Sequence, residues 1–117
     1  MARYVAARYR SADQQDFGAL FLGPCCRLIS DAEIFRGGLT AAAVGPGTVF
    51  RRALAASAAW VVVSQTRCGG EPAPTAEDWA FTQRLADAGT TLGVGVCDHL
   101  IVASGERRVS LHRQKPW

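Results

Sequence analysis

Apolar positions recur along the chain with two different periods, and the changes of period divide it into elements. Residues 17–22 (Phe-Gly-Ala-Leu-Phe-Leu) form a short apolar run with strand character, and Gly23-Pro24 reads as a turn. Residues 26–36 alternate, with Leu28, Ser30, Ala32, Ile34 and Arg36 set against Arg27, Ile29, Asp31, Glu33 and Phe35. That pattern predicts a second strand, ended by Gly37-Gly38 and paired with the first as a hairpin. Residues 46–59 predict a helix, with Pro46 in the first turn where its missing N–H costs nothing. Val49, Phe50, Ala53 and Leu54 fall at helical spacing and form its expected buried face, with Arg51 and Arg52 on the other side. Residues 60–64 (Trp-Val-Val-Val-Ser) are aromatic and β-branched, as in a central strand buried on both faces.

Beyond this the pattern breaks. Residues 65–74 read as a polar, Gly/Pro-rich loop. Thr75 is placed to cap a second helix, with Glu77 and Asp78 at the positive end of its dipole. Trp79, Phe81, Leu85, Ala88 and Leu92 carry its apolar spacing, and Gly89 or Gly93 ends it. Residues 94–103 predict a strand with a polar interruption at Asp98-His99, Ser104-Gly105-Glu106 a turn, and residues 108–112 a last strand. The order strand, strand, helix, strand, helix, strand, strand implies an α/β domain with a mixed sheet flanked by helices. Residues 1–16 are expected to be an N-terminal segment, 17–113 the domain and 114–117 a C-terminal tail, with Trp117 folded onto the core or anchored on a partner.

Composition narrows this only modestly. A chain of 117 residues is one domain, large enough to remove about two-thirds of its unfolded surface from water. The longest apolar stretch, residues 54–63, is interrupted by Ser57 and too short to span a bilayer, and the opening residues lack a signal-peptide apolar block. The expectation is a cytoplasmic protein with reduced thiols and no membrane partner. Cys25, Cys26, Cys68 and Cys97 lack Cys-x-x-Cys spacing, which argues against a zinc ribbon or redox pair and for buried or half-buried free thiols. Cys68, beside Arg67 in a glycine-rich loop, is a weaker candidate for a reactive thiol, with no histidine nearby in sequence to serve as its base. A net charge of +3 permits nucleic-acid contact without indicating it. Arg51, Arg52, Arg107 and Arg108, with Arg113 and Lys115, are the residues for a basic face, though a solvated surface explains them equally.

Three blocks carry a family resemblance. One is Phe21-Leu22 with residues 27–31 and Phe35-Arg36-Gly37, and another is residues 49–54 leading into 60–63. The most specific runs from Gly70-Glu71-Pro72 through Pro74-Thr75 and Glu77-Asp78 to Thr82, Leu85, Ala88-Gly89, Leu92-Gly93-Val94 and residues 98–102. In order and spacing, from Phe17 to Leu111, these resemble the RadC branch of the JAB/MPN (JAMM) family, which implies the cytidine-deaminase-like α/β fold. RadC-like proteins commonly carry a helical DNA-binding module ahead of this domain. No such module is expected ahead of residues 17–113 here, so that function is not expected to carry over.

The resemblance also implies a site. Active members use a glutamate, a His-x-His-Pro loop and a Ser-x-x-Asp helix start. Two histidines and the aspartate hold zinc, and the glutamate is the general base for a zinc-bound water. Spacing back from Pro72-x-Pro74 puts the histidine positions on Gln65 and Arg67 and the proline position on Cys68, while the glutamate position falls on Gln15 or Asp16. Asp78 remains, and Thr75 keeps a hydroxyl. Gln65 is a poor zinc ligand and a guanidinium cannot be deprotonated to become one. At 4 Å and an effective dielectric of 20, unit charges interact by about 4 kcal/mol, and Arg67 would repel a dication about twice as strongly. The expectation is no metal and no other cofactor, with Arg67 in the metal's place and paired with Asp78. Helix capping alone, typically about 1 kcal/mol, also accounts for Thr75 and Asp78. A metal set from Cys68, Asp78 and His99 is weaker than either reading, because Asp98-His99 is expected to bond to backbone or a neighbouring loop. The resulting expectation is a non-catalytic domain that binds a protein partner or itself, in a DNA-repair or mobile-element setting. The alternatives are a metal-dependent hydrolase or nuclease with a divergent site, and a nucleic-acid-binding accessory module.

Overall fold

The computed structural model describes residues 16–35, 45–67, 72–103 and 107–117. Five strands form one mixed sheet in the order β2-β1-β3-β4-β5: β1 (Phe17–Leu22), β2 (Leu28–Phe35), β3 (Trp60–Arg67), β4 (Gly95–Ala103) and β5 (Arg108–Ser110). β3 runs parallel to β4, and the other neighbours are antiparallel. Helices α1 (Pro46–Ala55) and α2 (Ala76–Leu92) cover one face, and a short α3 (Leu111–Gln114) follows β5. The α/β class and the opening hairpin match the sequence pattern. The turns expected at Gly37-Gly38 and Ser104-Gly105-Glu106, and residues 1–15, lie outside the described residues.

Alternation sorts the sheet into two faces. Ala19, Phe21, Val61 and Val63 meet Val49, Phe50 and Ala53 of α1 and Phe81 and Leu85 of α2. Leu20, Leu22, Val62, Leu100 and Val102 form a second cluster on the opposite face. β3 lies between β1 and β4 and Val61–Val63 are buried, as a central strand requires, although Trp60 at its start is exposed.

Two ends differ from the sequence expectation, and a third settles between its two candidates. α1 stops at Ala55 rather than at residue 59, because Ser57 turns left-handed (φ 55°) and Ala58 N–H bonds back to Ala53 O at 3.0 Å. Leu54, still within the helix, is half-exposed rather than on the buried face. α2 runs to Leu92 and ends at Gly93 in the left-handed region (φ 78°), leaving Leu92 exposed. Residues 111–112 are helical, not strand: Asp98 accepts from Ser110 Oγ at 2.6 Å and His112 N–H at 3.1 Å, holding a helix start where the ladder would have continued. Trp117 folds back, its indole N–H donating to Val96 O at 2.9 Å and its ring lying edge-to-face with His112.

Gly89 shows how closely α2 is packed. A β-carbon there would come within 2.3 Å of Val94 O and 3.3 Å of the Phe50 ring, so only glycine lets α1 and the start of β4 approach this turn.

Candidate functional site

The residues at the Arg67 end of β3 are strand, not loop. Gln65 pairs with Phe17 and Ile101, and Arg67 pairs with Ala103. On the β1 side Thr66 N–H donates to Asp16 O at 2.9 Å, and Asp16 N–H donates to Thr66 Oγ1 at 2.7 Å. A period of two therefore puts Gln65 and Arg67 on the face that Val61 and Val63 present to α2. Asp16 pairs with Thr66, one position out of phase with Gln65, and no described contact joins it to the site; Gln15 and Cys68 lie outside the described residues.

Opposite these side chains stands the N-terminus of α2. Thr75 Oγ1 accepts from Asp78 N–H at 3.2 Å and Asp78 Oδ2 accepts from Thr75 N–H at 2.8 Å, a reciprocal capping box. Asp78 is 4% exposed, which brings its carboxylate beneath the strand. Arg67 Nη2 lies 2.7 Å from Asp78 Oδ2, and its Nη1 donates to Ala73 O. Gln65 Nε2 donates to Asp78 Oδ1 at 3.2 Å. The structure thus unites Gln65, Arg67, Thr75 and Asp78, and both carboxylate oxygens are engaged.

One further residue joins this cluster, which the sequence had set beside Asp78 only in the weaker metal set. His99, fully buried on β4, has Nε2 3.1 Å from Gln65 Oε1 and Nδ1 2.6 Å from Thr82 Oγ1. Of the Asp98-His99 pair, only Asp98 binds backbone and a neighbouring segment, whereas His99 faces two side chains. The polar interruption of an apolar strand was the sequence signal, and Thr82, one turn beyond Asp78 on α2, was its partner. The Gln65 amide must present nitrogen to the Asp78 carboxylate, so its oxygen faces His99 and places the imidazole proton on Nε2. Nδ1 then accepts from the Thr82 hydroxyl. That hydroxyl also lies 2.8 Å from Asp78 O, and its single proton serves one acceptor at a time.

Burial favours the neutral histidine. Desolvation lowers the His99 pKa, the Asp78 and Asp98 carboxylates raise it, the Arg67 charge lowers it again, and the result is about 4. Desolvation also pushes the Asp78 carboxyl up, but the Thr75 N–H, the Arg67 hydrogen bond and charge, and the Thr75 hydroxyl outweigh it and hold the group below the ordinary carboxylate range.

The four arginines considered for a basic face do not share one. Arg51 and Arg52 are exposed on α1, on the helical side. Arg108 pairs with Val102, whose side chain belongs to the opposite cluster, and Arg107 precedes it.

A mixed sheet with a two-residue strand-end stripe facing a helix-start aspartate has the layout of a JAB-type domain. The chain belongs to the RadC-like JAB domain family, whose model matches residues 1–116. It is 40% identical to a UPF0758 protein of Xanthomonas campestris pv. campestris (strain 8004) over 117 residues, all of this chain and 51% of that one. It is 41% identical over 103 residues to a UPF0758 protein of Halorhodospira halophila, covering 88% and 46%, and 38% identical over 104 residues to one of Shouchella clausii, covering 89% and 45%. The chain therefore spans about half the length of these curated relatives.

The family is related to metal-dependent hydrolases, so the donor set can be tested against zinc. It does not fit. Gln65 offers an amide already bonded to both His99 and Asp78, Arg67 offers only N–H donors, and the Asp78 carboxylate is shared among three donors. His99 has both ring nitrogens engaged, with Gln65 between it and Asp78.

Proposed function

We propose that this RadC-like JAB domain is non-catalytic, with the Arg67 guanidinium serving as a built-in cation where active relatives hold zinc. The observation that carries this reading is the 2.7 Å Arg67–Asp78 pair, closed on its other side by Gln65. Metal-assisted hydrolysis needs an open coordination position for water, and a guanidinium provides neither a Lewis-acid centre nor a bound hydroxide. Elemental analysis of protein purified in zinc-containing medium is expected to find far less than one zinc per chain. Gln65→His/Arg67→His, which restores two imidazoles on the face of Asp78, is expected to gain zinc. Stoichiometric zinc in the unaltered protein overturns the reading and favours a divergent hydrolase.

What remains for such a domain is recognition, and we infer self-association through the β2 edge. β2 closes one side of the sheet and exposes Leu28 and Ile29 at 40% and 46%. Light scattering after size exclusion is expected to find a dimer that Ile29→Lys dissociates; a monomer at all concentrations sinks this part. A DNA-repair role rests on the family resemblance alone, and salt-dependent DNA binding would favour the accessory-module alternative.

A further inference from the structure

Free cysteines are usually buried, and the sequence expectation was that these would be buried or half-buried. Cys97 is half-buried, but Cys25 and Cys26 are both exposed. They are adjacent in the β1–β2 turn, where Cys26 N–H donates to Gly23 O at 2.9 Å and Gly23 N–H to Arg27 O at 2.8 Å. This is a tight turn followed by one left-handed residue, a position that favours glycine; Cys26 occupies it at φ 60°. A cysteine held there is strained relative to glycine.

A third thiol stands close by. Cys97 packs against the cluster containing Leu20 and Leu22, the strand end from which this turn springs. Burial raises its pKa first, and the neighbouring Cys26 and Asp98 raise it further. The turn adjoins Leu22, which pairs with Trp60 at the start of β3, so it lies at the opposite end of that strand from Arg67, about 20 Å away at 3.3 Å per residue. No residue of the degenerate site contributes to it.

We propose that Cys25 and Cys26 form a vicinal dithiol that chelates a soft thiophilic centre, of which a trivalent organoarsenical is the representative. The chemistry is substitution without change of oxidation state. Two S–H bonds and the arsenic–oxygen bond of phenylarsine oxide break, two As–S bonds form, and both protons leave with the oxide oxygen as water. Exposure gives access, and adjacency makes the second As–S bond intramolecular, so a monothiol competes poorly. Effective concentrations in the millimolar range for short links favour the chelate by about 100-fold or more.

The test is intact-mass spectrometry of the full chain in a Cys68→Ala background, treated with phenylarsine oxide and then challenged with excess monothiol. One phenylarsine adduct that survives the monothiol and is released by 2,3-dimercaptopropanol is expected. Cys25→Ala and Cys26→Ala should each lose monothiol resistance by about 100-fold, while Cys97→Ala should keep it. An adduct washed off by monothiol, one retained in either single turn variant, or one lost in Cys97→Ala overturns the proposal. Circular dichroism of each variant confirms that the fold is retained. A zinc-binding result at Gln65 and Arg67 leaves these outcomes untouched.

Discussion

Along β3 the side chains facing α2 run Val61, Val63, Gln65, Arg67, and the contact changes character between the second and the third. In the first half Val61 and Val63 meet Leu85 and Phe81, all fully buried, and the association is apolar packing. In the second half the same strand and helix are joined by a chain running Arg67, Asp78, Gln65, His99, Thr82. Phe81 stands at the junction, edge-on to Phe17 at 5.5 Å and to His99 at 6.1 Å. The packed half tolerates any residue of suitable shape, whereas the polar half requires each donor to find its acceptor. A buried network is worth keeping only if it is complete, so single changes there act through the partner left behind.

Truncation separates the two halves. Phe81→Ala should cost the most, about 4 kcal/mol in chemical denaturation, because a fully buried ring leaves a cavity. Acid should strike the polar half. The His99 pKa is about 4 in the fold and 6.5 in its absence, so the unfolded chain takes the proton first. Its contribution is complete above pH 6.5, falls as the pH is lowered towards 4, and amounts to about 3 kcal/mol lost by then. Asp78, held below the ordinary carboxylate range, contributes stability above its unfolded pKa of 3.8 and loses it as pH falls through the folded value. His99→Gln should flatten the decline between pH 6.5 and 4 and leave the more acid limb; an unchanged slope would show that the buried imidazole is not responsible.

Smaller effects follow along the chain. Arg67→Ala should destabilise by about 2 kcal/mol, since Asp78 stays buried and loses its charged donor. Unaltered stability would mean that the ion pair is incidental to the fold. Thr75→Ala should cost least, about 1 kcal/mol, the usual worth of a helix cap. If Thr75→Ala exceeded Arg67→Ala, capping rather than the guanidinium would be the main role of Asp78.

Much of the site was legible in order of residues. Thr75 and Asp78 declared a helix start through their spacing, and Gln65 and Arg67 fell into phase with them through the family resemblance. The reading failed where backbone partners decide. Residues 65–67 looked like loop because their side chains are polar, yet β4 on one side and Asp16 on the other supply ladder bonds that hold them extended. His99 was placed correctly on a strand and assigned the wrong neighbours, because its partners are 17 and 34 positions away.

The sequence by itself determined the elements, their approximate order of burial and the cap of α2, because alternation, helical spacing and capping act over a few residues. Tertiary structure alone decided that Gln65 bridges His99 and Asp78, that the imidazole is held neutral, and that two cysteines stand in solvent. Those outcomes depend on which strands lie side by side and how deeply each group is buried, and neither quantity is a local property of the chain.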